Sequence, residues 1–313
     1  MLVKHPERAS TLADAVWIDL LDATEAERAE VAAATKLRLP ERADIEEIES
    51  SSRVYLDGGA IYLSSPMLTG DDCLSDVPTS VGFVLTESRL VTLRFAPIAA
   101  FDAVRERYAK AEKPSAGDAF LLLLESVIDH AADALERAGT ELDGISRAAF
   151  RADRPRAKSA HQSDQLRSAL QKLGRISEGI SHLRDTLLGV GRIGAFVHET
   201  ARESHLAGAL ARLNAIRGDI ASLSDYEEHL AAKVQFLLDA TLGFISIQQN
   251  EIVKTLTVVS VVGVPPVLIA GIYGMNFHNM PELDWPLGYP LALALIVVSG
   301  LIPLWWLKSR GWM

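Results

Sequence analysis

Near its C-terminus the chain carries two uncharged apolar runs separated by a short polar segment. No other feature restricts the possible folds as much. The runs cover about Leu256 to Ile272 and Leu287 to Leu307. Crossing roughly 30 Å of hydrocarbon takes about 20 apolar residues, and both runs are of that order. Two such runs in succession predict a transmembrane hairpin. Its turn is Tyr273-Gly274-Met275-Asn276, followed by Phe277-His278-Asn279-Met280-Pro281-Glu282-Leu283. Everything before the hairpin reads as a part attached to a membrane.

The formal net charge of the 313 residues is −10. Residues 255–313 hold Lys308 and Arg310 against Glu282 and Asp284, so the whole excess lies in residues 1–254. An acidic soluble part argues against nucleic acid, which needs clustered Lys and Arg on one face. It suits soluble cations as partners, or simply a solvated surface. Cys73 is the only cysteine, which excludes an intrachain disulfide and a thiolate zinc cluster. Met1 to Ser10 is polar, so no cleaved signal peptide is expected and the large N-terminal part is expected to stay in the cytoplasm.

The expected fold class is an α+β cytoplasmic domain with an antiparallel sheet and long helices, then a stalk helix of about 70 residues and the hairpin. Ala15 to Leu20 reads as a strand, and Thr24 as the N-cap of a helix with Glu25 and Glu27 in its first turn. Ala43 to Glu49 looks like a short acidic helix. Arg53 to Leu63, turning at Asp57-Gly58-Gly59, is a hairpin signature, and Val81–Leu85 with Leu90–Phe95 makes a second strand pair. After Pro97 the period becomes helical: residues 99–110, 119–150 and 163–196 are expected helices. A longer pattern starts near Ser204 and keeps three-and-four spacing from Leu206 to Ile245; no proline stands between Pro155 and Pro265. Continued to Asn276 it would rise about 105 Å. Its seam suggests packing against copies of itself or neighbouring helices. The expected divisions are 1–97 (α/β domain), 98–203 (helices), 204–254 (stalk), 255–275 and 287–307 (spans), 276–286 (external loop) and 308–313 (basic cytoplasmic tail).

Local motifs for catalysis are weak. Gly189-Val190-Gly191-Arg192-Ile193-Gly194 spells a dinucleotide fingerprint, but that chemistry needs a preceding strand. Here an amphipathic helix precedes it, and a loosened helix end is the expected reading. His198, Arg202 and His205 share a helical face, where the arginine is a poor companion for a metal. Asp129, Asp133 and Glu136 form an acidic stripe, as do Asp225 and Glu228. Either could hold Mg²⁺, which prefers carboxylate oxygens and retained waters, although a solvated helix surface explains each as well. No Ser-His-Asp or Cys-His motif is present, and the chain does not read as an enzyme.

The hairpin is more informative. Lys254 precedes the first span, Lys308 and Arg310 follow the second, and Tyr273 to Pro286 has neither Lys nor Arg. The positive-inside rule then places both termini in the cytoplasm and the turn outside. The first span carries Thr255, Thr257, Ser260, Gly263, Pro265-Pro266 and Gly271, small and weakly polar residues suited to helix packing. Two helices cannot enclose a water path, so a pore requires several copies around an axis. One lining stripe is Gly271, Val267, Val264, Ser260, Leu256 or Thr257, Val253 and Asn250, neutral throughout; plain helix packing would produce the same pattern. A neutral pore suits a strongly hydrated cation, with a hydrophobic constriction that can gate by dewetting.

Tyr273-Gly274-Met275-Asn276-Phe277, with Met280-Pro281-Glu282-Leu283, two C-terminal spans and a basic tail, resembles the CorA family of magnesium transporters. Gly-Met-Asn is that family's signature, and the closer similarity runs from about Phe236 to Met313. The resemblance implies a homopentamer in the inner membrane that passes Mg²⁺ and is closed by Mg²⁺ bridging acids between cytoplasmic domains; which acids these are is not implied. No catalytic cofactor is expected, Mg²⁺ being transported and regulatory. The resemblance also implies that Asn276 amides with Gly274 carbonyls, around Met275, receive hydrated Mg²⁺. Asn250 matches a polar ring low in the pore; Val253, Leu256 and Val264 match hydrophobic gate positions. Many members carry an acid where His278 stands, while Glu282 and Asp284 remain to attract cations. Co²⁺ and Ni²⁺ could accompany Mg²⁺. The alternatives are a zinc or other transition-metal transporter of the same superfamily, and a membrane-anchored sensor without flux.

Overall fold

A computed structural model describes residues 1–5, 11–47, 49, 53–70, 77–109, 115–151, 159–201, 210–275, 280–281 and 285–312. They form two compact units, Met1–Leu238 and Asp239–Met313.

The first unit is built on a six-stranded sheet ordered β1-β2-β6-β5-β4-β3. The strands are β1 (Leu2–His5), β2 (Trp17–Leu21), β3 (Val54–Asp57), β4 (Ala60–Met67), β5 (Thr79–Leu85) and β6 (Leu90–Arg94). The two expected hairpins are present. Gly58 and Gly59 both have positive φ (57° and 81°), the backbone that a tight two-residue turn demands and that a β-carbon opposes. Four pairings are antiparallel, but β2 runs parallel to β6, with Trp17 opposite Leu90 and Leu21 opposite Arg94. β1, absent from the expectations, adds antiparallel to β2.

Alternation along the strands sends side chains to two different cores. Trp17, Ile61, Leu63, Val81, Phe83 and Leu85 face one side. Ile18, Leu20, Ala60, Tyr62, Val84, Val91 and Leu93 face the other, with Val31 of α1 (Glu25–Thr35) and Ile45 of α2 (Arg42–Glu46). The expected Thr24 cap forms a full capping box: its hydroxyl accepts from the Glu27 N–H, and the Thr24 N–H donates to the Glu27 carboxylate at 2.9 Å.

The other face of the sheet is covered by helices. These are α3 (Ala99–Ala109), α4 (Ala116–Arg151), α5 (Ser159–Ala201) and α6 (Leu210–Tyr273). Phe101, Phe120, Leu124, Ile193, Leu213 and Ile216 join the core under the sheet. Beyond its edge, α4, α5 and α6 continue as a three-helix seam of Leu135, Leu142, Leu173, Ile180, Leu230 and Leu237. The apolar seam of α6 over 213–237 therefore packs on helices of its own chain. The Gly189–Gly194 segment lies inside α5, with no strand before it and no loosened end. Gly189 serves close contact instead: a β-carbon there would collide with Ser65 on β4.

A charged pair is sealed into the sheet with its own hydrogen-bond partners. Asp19 on β2 accepts from the Arg94 guanidinium at 2.7 Å and from the Thr92 hydroxyl at 2.7 Å, and Trp17 Nε1 donates to Thr92. Asp19 and Arg94 side chains are both 2% exposed, so the pair stands in place of water for each charge.

The second unit holds the C-terminal part of α6 and α7 (Gly288–Ser309). Both helices are long and apolar enough to cross a membrane. Pro265 and Pro266 sit inside α6, and Pro303 inside α7. Gly300 lets α7 lie close to α6: a β-carbon there would lie 3.5 Å from Pro266 Cγ and 3.8 Å from the Val262 carbonyl.

Candidate functional site

The first span gains its order from one helical periodicity. At 100° per residue, Asn250, Val253, Leu256, Ser260, Val264, Val267 and Gly271 fall within about 120° of arc. All are exposed, Val253, Leu256, Val264 and Val267 at 60–71%. Val258, Val262, Pro265 and Ile269 occupy the opposite arc and are half-buried. The face carrying the candidate lining residues is thus the one turned away from Gly300 of α7. Leu256 and Thr257 both fall on this face by helical angle, at opposite sides of it, and Leu256 is the exposed one of the pair. Thr257 is half-buried, and its hydroxyl donates to the Val253 carbonyl at 2.7 Å. That bond satisfies the hydroxyl within the helix and leaves the exposed face apolar except for Asn250 and Ser260.

The helix closes at Gly274. Its N–H donates to the Ala270 carbonyl at 3.0 Å, and the Met275 N–H reaches back only three residues, to Ile272, at 3.3 Å. A β-carbon at 274 would stand 3.1 Å from the Ala270 oxygen, so a larger residue would crowd the last turn. Met275 is 46% exposed. Asn276, His278, Glu282 and Asp284 lie outside the described residues.

The acidic stripes of α4 and α6 differ in setting from the carboxylates that hold these helices together. Asp129, Asp133 and Glu136 are all exposed along α4, and Asp133 and Glu136 line a shallow hollow with Arg137, Thr140 and Glu141. Asp225 and Glu228 are exposed on α6. Asp118 and Glu125 of α4 accept from Arg212 of α6, at 3.3 Å and 2.9 Å, which ties the start of α6 to α4. Among the described residues, no three His, Cys, Asp or Glu side chains gather as a metal site. His198 is half-buried, and Arg202 and His205 lie outside the described residues.

Glu227, which the spacing of Asp225 and Glu228 passes over, is the buried carboxylate of this stretch of α6. Its side chain is 5% exposed and faces Arg184 of α5 at 4.0 Å. Loss of water pushes its pKa above the ordinary carboxylate value; Arg184 opposes that rise and Glu228 adds to it. A glutamate at a buried helical register was the available signal: Glu227 is three residues before Leu230 and seven before Val234.

Comparison with known proteins settles the family. The profile of the CorA-like Mg²⁺ transporter protein family matches residues 13–309. The magnesium transport proteins CorA of Salmonella typhimurium and of Escherichia coli K12 are each 35% identical over 310 residues, covering 98% of this chain and 95% of theirs. The chain belongs to the CorA family. In fold it is similar to the complete structure of the CorA magnesium transporter from Methanocaldococcus jannaschii. That similarity has a TM-score of 0.74 at 19% identity and covers 96% of this chain and 92% of the other. CorA membership makes the chain a membrane transporter rather than an enzyme.

Proposed function

We propose that this CorA-family chain is a Mg²⁺ channel whose path is lined by the exposed arc of α6 and entered past Gly274-Met275-Asn276. The observation that carries the reading is the signature triplet set where an apolar, uncharged helix face ends at Gly274. Asn276 amides and Gly274 carbonyls would accept the water shell of Mg²⁺, an ion that gives up its waters reluctantly. Several copies are needed to enclose a path, and the family resemblance makes that number five. Both termini lie in the cytoplasm and 276–286 lies outside, because Lys254, Lys308 and Arg310 all fall at one end of the hairpin. Glu282 and Asp284 would draw cations to the mouth.

Entry is passive. A divalent cation moving inward gains about 4.6 kcal/mol per 100 mV, twice the value for a single charge. Mg²⁺ binding to cytoplasmic carboxylates would close the path, and Co²⁺ and Ni²⁺ would pass with Mg²⁺. The test is Mg²⁺-indicator flux in vesicles containing the full chain, with Zn²⁺, Co²⁺ and Ni²⁺ as competitors. Flux of Mg²⁺ that Asn276→Ala abolishes is the expected result. Unchanged flux in that variant would remove the triplet from the selectivity site, and no flux in the parent protein would favour an anchored sensor.

A further inference from the structure

The open end of the hairpin, away from Gly274, gathers every cation of the second unit. Lys254, Lys308 and Arg310 are the only Lys or Arg residues between 239 and 313. They are brought to one turn by the end of α7. There the Arg310 N–H donates to Trp306 at 3.2 Å, the Gly311 N–H to Lys308 at 3.1 Å and the Trp312 N–H to Leu307 at 3.1 Å. Gly311 makes the turn with φ of 72°, in the left-handed region that ends helices and favours glycine. Lys254, far away in sequence on α6, reaches this turn: its ammonium donates to the Gly311 carbonyl at 3.5 Å. The Arg310 guanidinium lies 5.6 Å from the centre of the Trp306 ring. Trp305, Trp306 and Trp312 are 72%, 51% and 44% exposed around it.

Two cations on α7 suit its negative C-terminal end. That does not account for Lys254, which belongs to another helix, nor for three exposed indoles beside the charges. Glu251, one turn before Lys254 and exposed, offsets a single charge and leaves an excess of two. Tryptophan settles at the depth of lipid headgroups, where water, phosphate and acyl chain meet. Cations held at that depth by a folded turn meet an anionic phosphate.

We propose that Lys254, Lys308 and Arg310, on the turn made by Gly311 and flanked by Trp305, Trp306 and Trp312, bind the phosphate of an anionic lipid headgroup. The proposal rests on the hairpin being embedded in a membrane, and its test needs no ion flux. A failure of transport and a failure of lipid binding are therefore separate results.

The full chain carrying Trp285→Phe, so that the far end of the hairpin contributes no signal, is placed in bilayers of phosphatidylcholine and phosphatidylglycerol. Tryptophan quenching is measured with either lipid brominated on its acyl chains. Wild-type residues at 254, 308 and 310 should favour brominated phosphatidylglycerol over brominated phosphatidylcholine, by roughly fivefold in relative affinity per engaged cation. Lys254→Gln with Lys308→Gln and Arg310→Gln should bring the ratio to one. Lys308→Arg with Arg310→Lys should keep it, which separates charge from misfolding. Equal quenching in the parent, or a preference that survives the triple substitution, overturns the proposal. Inorganic phosphate added at constant ionic strength should leave the preference in place; its loss would assign the site to a free phosphate instead of a lipid.

Discussion

Gly189 on α5 lies so close to Ser65 on β4 that a β-carbon at 189 would overlap the Ser65 hydroxyl, with Pro66 Cδ at 3.1 Å. The helix can lie on this strand only because the position is glycine. Alanine there would gain up to about 1 kcal/mol of helix propensity but force a shift costing about 1–3 kcal/mol. Gly189→Ala should lower the thermal midpoint of the full chain. Gly174→Ala, on the same helix with open space around it, should raise it. Equal effects at the two positions would mean that the β4 contact does not constrain α5.

The Asp19–Arg94 pair predicts a different pattern. Removing one partner leaves a charge 2% exposed without its counter-ion. Arg94→Met should therefore cost about 3–5 kcal/mol. Asp19→Asn combined with Arg94→Met should cost less than Arg94→Met alone, because no buried charge remains. Chemical denaturation of the three proteins provides the comparison, and a double variant weaker than the single one would contradict it.

Much of this fold is legible in local pattern. The Thr24 cap, the turn at Gly58-Gly59 and the two strand pairs depend on neighbours within a few residues. The apolar seam of α6 depends only on its 3.6-residue period. The parallel pairing of Trp17 with Leu90 joins segments about 70 residues apart and has no local signature. β1 is four residues long, Leu-Val-Lys-His, too short for a period to emerge. The Gly189–Gly194 motif misleads because its first glycine answers to a strand distant in sequence. At the site, the exposed arc from Asn250 to Gly271 needs only helical spacing and is readable. Glu227 is readable only in part: its register with Leu230 and Val234 marks a buried face, while the Arg184 opposite it depends on where α5 lies.

Glu227 makes stability depend on pH. Its folded pKa is raised by lost hydration, so between the ordinary and raised values the folded state holds a proton that the unfolded state has released. Stability from this residue is fully present below the ordinary value of about 4.5 and declines as pH rises through the raised one. Glu227→Gln should flatten that decline. Arg184→Gln, which removes the one opposing cation, should shift it to higher pH. Thermal midpoints from pH 4 to 8 would check both; identical pH profiles for the parent and Glu227→Gln would show that the carboxylate is hydrated in solution.

The exposed arc of α6 yields the sharpest prediction about conduction. Leu256 and Val264, 65% and 60% exposed, lie on the face that the proposed path would wet. A constriction of such residues holds water poorly and blocks ions without any steric plug. Leu256→Ser and Val264→Thr keep the helix while offering hydroxyls to the water shell, so they should speed Mg²⁺ entry. Val258→Thr, on the half-buried opposite arc, should leave entry within about twofold, because its side chain faces away from the path. The measurement is indicator flux at matched protein density in vesicles, first without and then with Mg²⁺ on the cytoplasmic side. If Val258→Thr raises entry as much as Leu256→Ser does, the path does not run along this arc, and the neutral stripe is a packing surface.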